Sequence, residues 1–384
     1  MLIYYFAILM LVVLTIIFEH FSWQSKKRRF FESFCCGLVV FSLLFLKKET
    51  VGIDTPTYKK IYDWVITTNF TSLSSGYSTV ETPFKFLMKV FSSCGLSYQI
   101  FSVFIYACLF TSLLLLFFYY ADVPGLAWLF FLCFGSFTFV ASALRQGFSI
   151  SLTIFAFLIF KKEKIGTWFG SALLVALAFA FHNSAASVLL LAPGFFIKNK
   201  QKNCLYFITA LVLVSIFSYP ALFYLYNETG ITNRYLFSYD SFYWEGFGGS
   251  AVVMMLIIFY YYFSKSAFYK ETKSFSPHFK LFERIPDPID SDAPKQNDGF
   301  FLFSCEFCVI LFVIACFFDM IARIADYSRI YFGVVLINAI NRQKTKTARI
   351  TSFCMMVLFL SFYFYYTTFR LNYLGLLPYS FFWQ

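Results

Sequence analysis

The sequence is short of charged residues. Only 13% of its 384 residues are Asp, Glu, Lys or Arg, whereas 60% are hydrophobic, and its mean hydropathy is +0.70. Soluble domains are close to half apolar and about a quarter charged. The composition therefore excludes an ordinary soluble domain and predicts a multi-pass membrane protein. The net charge of +11 implies no nucleic-acid partner, because cytoplasmic loops of membrane proteins are basic in any case.

Motifs for metals and cofactors are also missing. The chain has three histidines, which are scattered, and it has no carboxylate-rich motif, P-loop, GxGxxG or GxSxG in a suitable context. Cys305 and Cys308 have CxxC spacing, but they lie in an apolar run without a second ligand pair. We therefore expect no metal site and no cofactor.

Long apolar runs dominate the chain instead. About 20 apolar residues cross a bilayer. The runs predict an all-α, polytopic integral membrane protein of about 12 transmembrane helices, which form a single membrane domain over residues 1–384. The predicted spans lie near 2–21, 29–46, 99–120, 125–142, 144–160, 166–182, 184–197, 204–224, 249–268, 300–319, 325–340 and 350–369.

Basic residues set the predicted orientation. Lysine and arginine concentrate in alternate connections, which include 26–29 and the polar loop 270–299, and this side is expected to be cytoplasmic. The loops 47–98 and 225–248 then lie outside. Within 47–98, Asp54-Thr55-Pro56 and Glu81 to Phe91 each predict an amphipathic helix on the outer membrane surface.

One predicted hairpin brings polar groups to the outer face. Arg145 and Gln146 open its first helix, and His182 closes its second. At a rise of about 1.5 Å per residue, the two helices travel roughly 23 Å down and 25 Å back. Arg145 and His182 therefore end at the same depth, where an intramembrane arginine and histidine indicate a functional site.

Arginine is the only cation expected on the outer face after residue 90. The planar guanidinium suits bidentate contacts to phosphate better than the lysine ammonium. The alternative is that each arginine snorkels to the interface or pairs with a carboxylate such as Asp326. The arginines concerned are Arg145, Arg234, Arg323, Arg329 and Arg370.

Two residues are candidates for an acid–base role on this face. His182 comes first, because histidine as a residue type titrates near neutral pH. Asp54 comes second, and its alternative role is to cap the first loop helix. The other titratable groups predicted there are Asp63, Glu81, Asp319 and Asp326.

Several stretches together resemble the EpsG-like branch of the Wzy-type polysaccharide polymerases. VGIDTPTYKKIYD resembles the first-loop signature of that family, SALRQGFSISL its Arg-Gln helix start, and FHNSA its histidine followed by a small polar residue. RIADYSRIYF resembles the late arginine-tyrosine stretch, and LLPYSFFW the Pro-Tyr ending. The resemblance extends over nearly the whole chain.

The resemblance implies a polymerase of the bacterial inner membrane with its active site facing outwards. Such an enzyme joins undecaprenyl-diphosphate-linked oligosaccharide repeat units, as donor and acceptor, into O-antigen, capsule or exopolysaccharide. The resemblance implies a metal-independent, inverting glycosyl transfer. Membrane lipid and a chain-length regulator are the further partners that it implies. The expected catalytic residues are His182, Asp54 and Arg145. The expected substrate-binding residues are Gln146, Arg234, Arg323, Arg329, Tyr331 and Tyr379.

Other classes of membrane protein remain as alternatives. A flippase or transporter of lipid-linked oligosaccharide would also have about 12 spans, but its charges should line a path open to both faces. A membrane O-acyltransferase would carry an early arginine-histidine pair, which is missing here. A transferase using lipid monophosphate sugars would carry paired acidic residues in the first outer loop. Asp54 and Asp63 are only a weak version of such a pair.

Overall fold

The computed structural model describes residues 2–20, 25–77, 80–161, 164–196, 298–315, 319–341, 343, 345–372 and 374–384. Every regular element among them is a helix, which confirms the predicted all-α class. The α-helices in chain order are α1 (Leu2–His20), α2 (Ser25–Phe45), α3 (Thr55–Thr67), α4 (Thr82–Ser93), α5 (Tyr98–Tyr120), α6 (Pro124–Cys133), α7 (Ser136–Ser142), α8 (Leu144–Ile159), α9 (Ile165–Phe181), α10 (Asp298–Ala315), α11 (Asp319–Asn341) and α12 (Lys346–Phe364). Two 3₁₀ helices (Phe70–Ser72 and Asn183–Phe196) and a π-helical end (Tyr365–Arg370) complete the described set.

Several of these helices suit a bilayer. In the described part of the chain, α1, α5 and α12 with its π-helical end are long and apolar enough to cross a membrane. The bent pair α6 and α7 would be a fourth span if the two helices cross together. The count of 12 stays a prediction, as does the single membrane domain. The spans 204–224 and 249–268, the loop 225–248 and most of the loop 270–299 lie outside the described residues.

Two predicted spans differ from regular α-helices. The span 125–142 is divided into α6 and α7, which meet at 60°. Gly135 lies at the break with φ of +91°, in the left-handed region that glycine adopts at little cost. The span 184–197 is a 3₁₀ helix that contains Pro193, a residue without the N–H group that an α-helix needs.

The chain divides into two compact units, which are described separately. The first unit comprises the described residues up to 186 and from 345 to 384, and the second comprises those between 187 and 344. In the first unit, α1, α2, α5 and α6 pack together. The fully buried Trp128 ring contacts Phe41 and Phe117, and its indole N–H donates to Ser33 Oγ at 3.2 Å.

The sequence predicted that the basic run at 26–29 is a loop, but the structure shows that these residues belong to a helix. Helix α2 begins at Ser25, and Arg28 and Arg29 are both buried. Arg28 forms an ion pair with Glu19 at 3.4 Å, while Arg29 donates to the carbonyl of Ala121 at 2.7 Å. Buried charges are stable only when they are paired and hydrogen-bonded. These two arginines therefore join α1, α2 and the end of α5.

The first long loop (residues 47–98) contains both of its predicted helices. Helix α3 follows Asp54 with Pro56 in its first turn, and α4 follows Glu81 with Pro83 in the same place. Proline fits there because the first helical N–H groups have no intrahelical partner. The two helices pack against each other, and Lys89 Nζ on α4 donates to the carbonyl of Val65 on α3 at 3.1 Å.

The C-terminal tail is bound to this loop by its backbone. Lys47 and Phe381 form an isolated antiparallel bridge, and the N–H of Lys48 donates to the carbonyl of Ser380 at 2.8 Å. Further along, the N–H of Gly52 donates to the carbonyl of Gly375 at 2.9 Å. The tail therefore fixes the stretch that leads into Asp54.

Candidate active site

Four side chains from different elements form a polar cluster in the first unit. They are Tyr58 of α3, Glu81 before α4, Arg145 of α8 and His182 after α9, and we call them the Glu81 cluster. Arg145 Nη1 pairs with Glu81 Oε2, while His182 Nδ1 lies 3.3 Å from Glu81 Oε1. The Nε–H of Arg145 donates to the Tyr58 hydroxyl at 3.1 Å. One carboxylate thus links the two residues that the sequence placed at the same depth.

The local sequence explains why Glu81 lies there. Glu81 is the N-cap residue of α4, and Phe84 is buried one turn further along. The Phe84 ring packs against Tyr58 at 6.1 Å and Phe181 at 6.5 Å between ring centroids. Since Phe181 directly precedes His182, this apolar contact holds the start of α4 beside the end of α9.

Helices α8 and α9 form the predicted antiparallel hairpin and place the other two groups. Ser149 Oγ donates to the carbonyl of Ala178 at 3.0 Å, and Ser171 Oγ donates to that of Ala156 at 2.8 Å. Arg145 lies in the first turn of α8, and His182 is the C-cap of α9. Two interhelical hydrogen bonds therefore fix the register that brings both ends together.

The charges within the cluster act on one another. Burial opposes ionisation of Glu81, but the His182 hydrogen bond and the Arg145 charge outweigh it and lower the pKa of Glu81 to about 2. Burial raises the pKa of Tyr58. The positive charge and hydrogen bond of Arg145 act against this rise in pKa, and the negative charges of Asp54 and Glu81 add to it. Glu81 is therefore a carboxylate at any physiological pH, and Asp54 lies within electrostatic reach of the cluster.

Asp54 is held beside the cluster by the break between α7 and α8. Its backbone N–H donates to Ser142 Oγ at 3.1 Å, and its side chain makes no capping hydrogen bond to α3. Gly52, with φ of +100°, lies so close that an added Cβ would be 3.0 Å from the carbonyl oxygen of Ala141. The first-loop signature is therefore packed directly onto the residues that precede Arg145.

The buried side chain of Lys47 stabilises this packing. Lys47 Nζ donates to the carbonyl of Val51 at 2.8 Å and to Thr55 Oγ1 at 3.0 Å. Lys47 is only 4% exposed, and burial lowers its pKa to about 7. The Lys47 Nζ thus contacts both ends of the turn that carries Asp54.

The other predicted site residues have varied surroundings. Gln146 is buried in α8 beside Arg145, and the Tyr379 hydroxyl donates to the carbonyl of Leu43 at 3.0 Å.

In the second unit, Arg329 is buried and pairs with Asp326 at 2.8 Å, as the pairing alternative predicts. Tyr331 packs edge-on against Phe300, and Arg323 is exposed. Arg234 lies outside the described residues. Substrate binding by these residues stays a prediction.

Neither Tyr58 nor Glu81 was predicted to be a site residue. Tyr58 was noted only as the tyrosine of the first-loop stretch VGIDTPTYKKIYD, and Glu81 only as the start of a loop helix and as one titratable group of the outer face. Glu81 is 64 residues from Arg145 and 101 from His182, so no helical spacing connects them. A glutamate directly before a helix that begins Thr-Pro was the only local signal.

The arrangement suits proton transfer next to an anion site. A histidine held by a carboxylate can act as a general base, and an arginine nearby can bind a phosphate. The side chains of Arg145, Glu81 and His182 remain 15%, 17% and 16% exposed, so the cluster is not sealed. Within the described residues, no group of three or more His, Cys, Asp or Glu side chains is placed to hold a metal ion.

The helices and this cluster define a helical membrane protein with a charged, partly open site. The model of the EpsG family matches residues 33–381. The chain therefore belongs to the EpsG family. No curated protein and no solved structure gives a significant match.

Proposed function

We propose that this protein is a polysaccharide polymerase that joins undecaprenyl-diphosphate-linked oligosaccharide repeat units on the outer face of the bacterial inner membrane. Membership of the EpsG family over residues 33–381 supports this function. The single observation that carries the site assignment is that Arg145 and His182 contact opposite oxygens of one carboxylate.

His182 is the proposed general base. A sugar hydroxyl of the acceptor must lose its proton as it attacks the anomeric carbon of the donor. The imidazolium formed on His182 would lie at the C-terminus of α9 and beside Glu81, and both favour positive charge. Asp54 remains the second candidate, because its carboxylate makes no capping bond.

Arg145 is the proposed partner of the leaving diphosphate. It lies in the first turn of α8, where the helix dipole also favours anions. Fixed positive charge stabilises the negative charge that develops on a leaving group. Arg234, Arg323 and Arg329 are proposed to add to this charge, with Gln146 as an orienting donor and Tyr331 and Tyr379 as positioning groups.

The proposed reaction is a single inverting displacement. The acceptor oxygen forms a bond to the anomeric carbon, and the bond from that carbon to the diphosphate oxygen breaks. The electron pair of the broken bond stays on the undecaprenyl diphosphate, and the hydroxyl proton goes to His182 and then to solvent. The proposed residues supply a base and a cation for this step, and the proposal needs no metal ion.

A chain-length ladder in a deletion strain tests this function. Complementation with Arg145→Ala or His182→Ala should leave single-repeat material and no long polymer. His20→Ala is the matched control for His182→Ala, because this histidine is exposed and lies outside the cluster. Immunoblots of membranes would check that every variant is present. Normal ladders from both cluster variants would contradict the assignment.

The leaflet on which intermediates accumulate separates the polymerase from the flippase alternative. A polymerase defect should leave unjoined repeat units on the outer leaflet, where an impermeant enzyme can release the sugars. Accumulation on the cytoplasmic leaflet in the deletion strain would favour the flippase.

A further inference from the structure

The two nitrogens of His182 are not equivalent in this site. Nδ1 faces Glu81 Oε1 at 3.3 Å, and the histidine side chain is 16% exposed. An ionised carboxylate can only accept hydrogen bonds. Because the pKa of Glu81 is lowered to about 2, the ring nitrogen that faces it must carry the proton. In the neutral ring, Nε2 then holds the lone pair.

We propose that Glu81 is the positioning residue of this site: its carboxylate accepts the Nδ1–H of His182 and so directs Nε2 towards the acceptor hydroxyl as the proton acceptor. The consequence for polymerisation rests on the proposed function, whereas the tautomer itself does not. A carboxylate that orients a catalytic histidine in this way keeps the imidazole in the tautomer able to take a proton.

The same carboxylate also sets the distance between base and cation. Glu81 Oε2 holds the guanidinium of Arg145, whose Nε–H is in turn fixed by Tyr58. Each oxygen of the Glu81 carboxylate therefore contacts a different group, the proposed cation on Oε2 and the proposed base on Oε1. Loss of the carboxylate should release the histidine ring and the guanidinium together.

A purely structural role for Glu81 makes a different prediction. If Glu81 only anchored Arg145, the tautomer of His182 would not depend on it, and Arg145→Met would reproduce every effect of Glu81→Gln. The geometry predicts instead that Arg145→Met leaves the Nδ1–H tautomer intact, because the Glu81–His182 contact does not pass through Arg145.

The tautomer can be measured on the full chain by ¹⁵N-histidine labelling and solid-state NMR in lipid bilayers. The chain has only three histidines, so His182→Gln assigns the relevant resonances by their disappearance. In the spectrum of the neutral imidazole we expect a protonated Nδ1 and an unprotonated Nε2 in the wild type. Glu81→Gln should convert this signal to a mixture of tautomers, and Glu81→Asp should retain the Nδ1–H form.

Polymerisation is the second readout. Membranes would be supplied with lipid-linked repeat units extracted from the deletion strain. Glu81→Gln should slow the initial rate about 100-fold, within the usual contribution of general acid–base catalysis, and Glu81→Asp should recover part of it. Asp63→Asn is the matched control, because this carboxylate of the same loop pairs with Lys59 at the surface and is not a member of the Glu81 cluster.

The outcomes separate the two proposals. An Nε2–H tautomer in the wild type, or an unchanged tautomer in Glu81→Gln, would overturn the positioning role even if Arg145 and His182 proved essential for polymerisation. Normal ladders from Arg145→Ala and His182→Ala would instead overturn the proposed function and leave the tautomer result standing. The wild-type spectrum decides the tautomer even if Glu81→Gln does not fold.

Discussion

The Nε–H of Arg145 donates a hydrogen bond to the hydroxyl of Tyr58 at 3.1 Å. The same guanidinium lies 5.6 Å from the centre of the Tyr58 ring. Tyr58 is buried and lies one turn into α3. The first-loop helix therefore holds the arginine from one side, while Glu81 holds it from the other.

Tyr58→Phe should lower the rate of polymerisation about tenfold. The ring is kept, but a hydrogen bond to a charged group is lost, and such a bond is worth about 1.5–3 kcal/mol. The rate would be measured with extracted lipid-linked repeat units in isolated membranes. Tyr62→Phe is the control on the same helix, because its hydroxyl donates to the carbonyl of Leu96 at 2.8 Å, away from the cluster. An equal loss of rate in both variants would contradict a specific role for Tyr58.

Lys47→Met should flatten the dependence of stability on pH between about 7 and 10.5. Burial lowers the pKa of Lys47 from its ordinary value of 10.5 to about 7. In that window the unfolded chain binds a proton that the folded chain does not, so wild-type stability rises with pH. Below pH 7 Lys47 is charged in both states, and the full cost of burying this charge destabilises the folded protein. Above pH 10.5 the side chain is neutral in both states, and this cost is absent. The measurement is the difference in Tm between wild type and variant in detergent, from pH 6 to 10.5. A constant difference would show that Lys47 titrates normally.

Gly52→Ala should destabilise the protein by about 2 kcal/mol and reduce polymerisation. A residue other than glycine held at a positive φ costs of order 1–3 kcal/mol. The new Cβ would also lie 2.9 Å from Thr55 Oγ1 and 3.1 Å from Ser142 Cα. Gly166→Ala is the matched control on α9, since nothing lies within 4 Å of its added Cβ. We expect that control to be up to about 1 kcal/mol more stable, because alanine favours a helix over glycine. Thermal unfolding and chain-length ladders would be compared, and an undisturbed ladder with wild-type Tm in Gly52→Ala would show that this packing is unimportant.

Tyr379→Phe distinguishes anchoring of the tail from substrate binding. The hydroxyl donates to the carbonyl of Leu43 at 3.0 Å, and the ring packs edge-on against Tyr4. Loss of that hydrogen bond should lower stability by about 1 kcal/mol and leave the ladder unchanged at permissive temperature. A shortened ladder with unchanged Tm would favour contact between the hydroxyl and the substrate instead.

Local sequence determined much of this protein. Apolar runs of helical length indicated an all-α membrane protein, and Asp54-Thr55-Pro56 marked the start of α3 one residue later than the aspartate. Helical rise placed Arg145 and His182 at the same end of one hairpin. These inferences hold because helix starts, helix lengths and apolar periodicity depend on residues close together in the chain.

Other features depended on contacts that are distant in the chain. The sequence predicted a basic loop at 26–29. Arg28 and Arg29 are instead buried, because Arg28 pairs with Glu19 and Arg29 donates to a carbonyl at the end of α5. Similarly, the span expected at 125–142 breaks at Gly135. A single glycine inside an apolar run is not a sufficient signal for a bend of that size.

The sequence by itself determined which end of the hairpin carries the charged groups, and only the tertiary structure decided which carboxylate joins them. Helix geometry fixes the relative depth of Arg145 and His182 regardless of the rest of the chain. The choice of Glu81 depends on the packing of Phe84 against Tyr58 and Phe181, and it brings together residues 101 positions apart. Such a contact has no period in the sequence, because it is set by how α3 and α4 pack onto the hairpin.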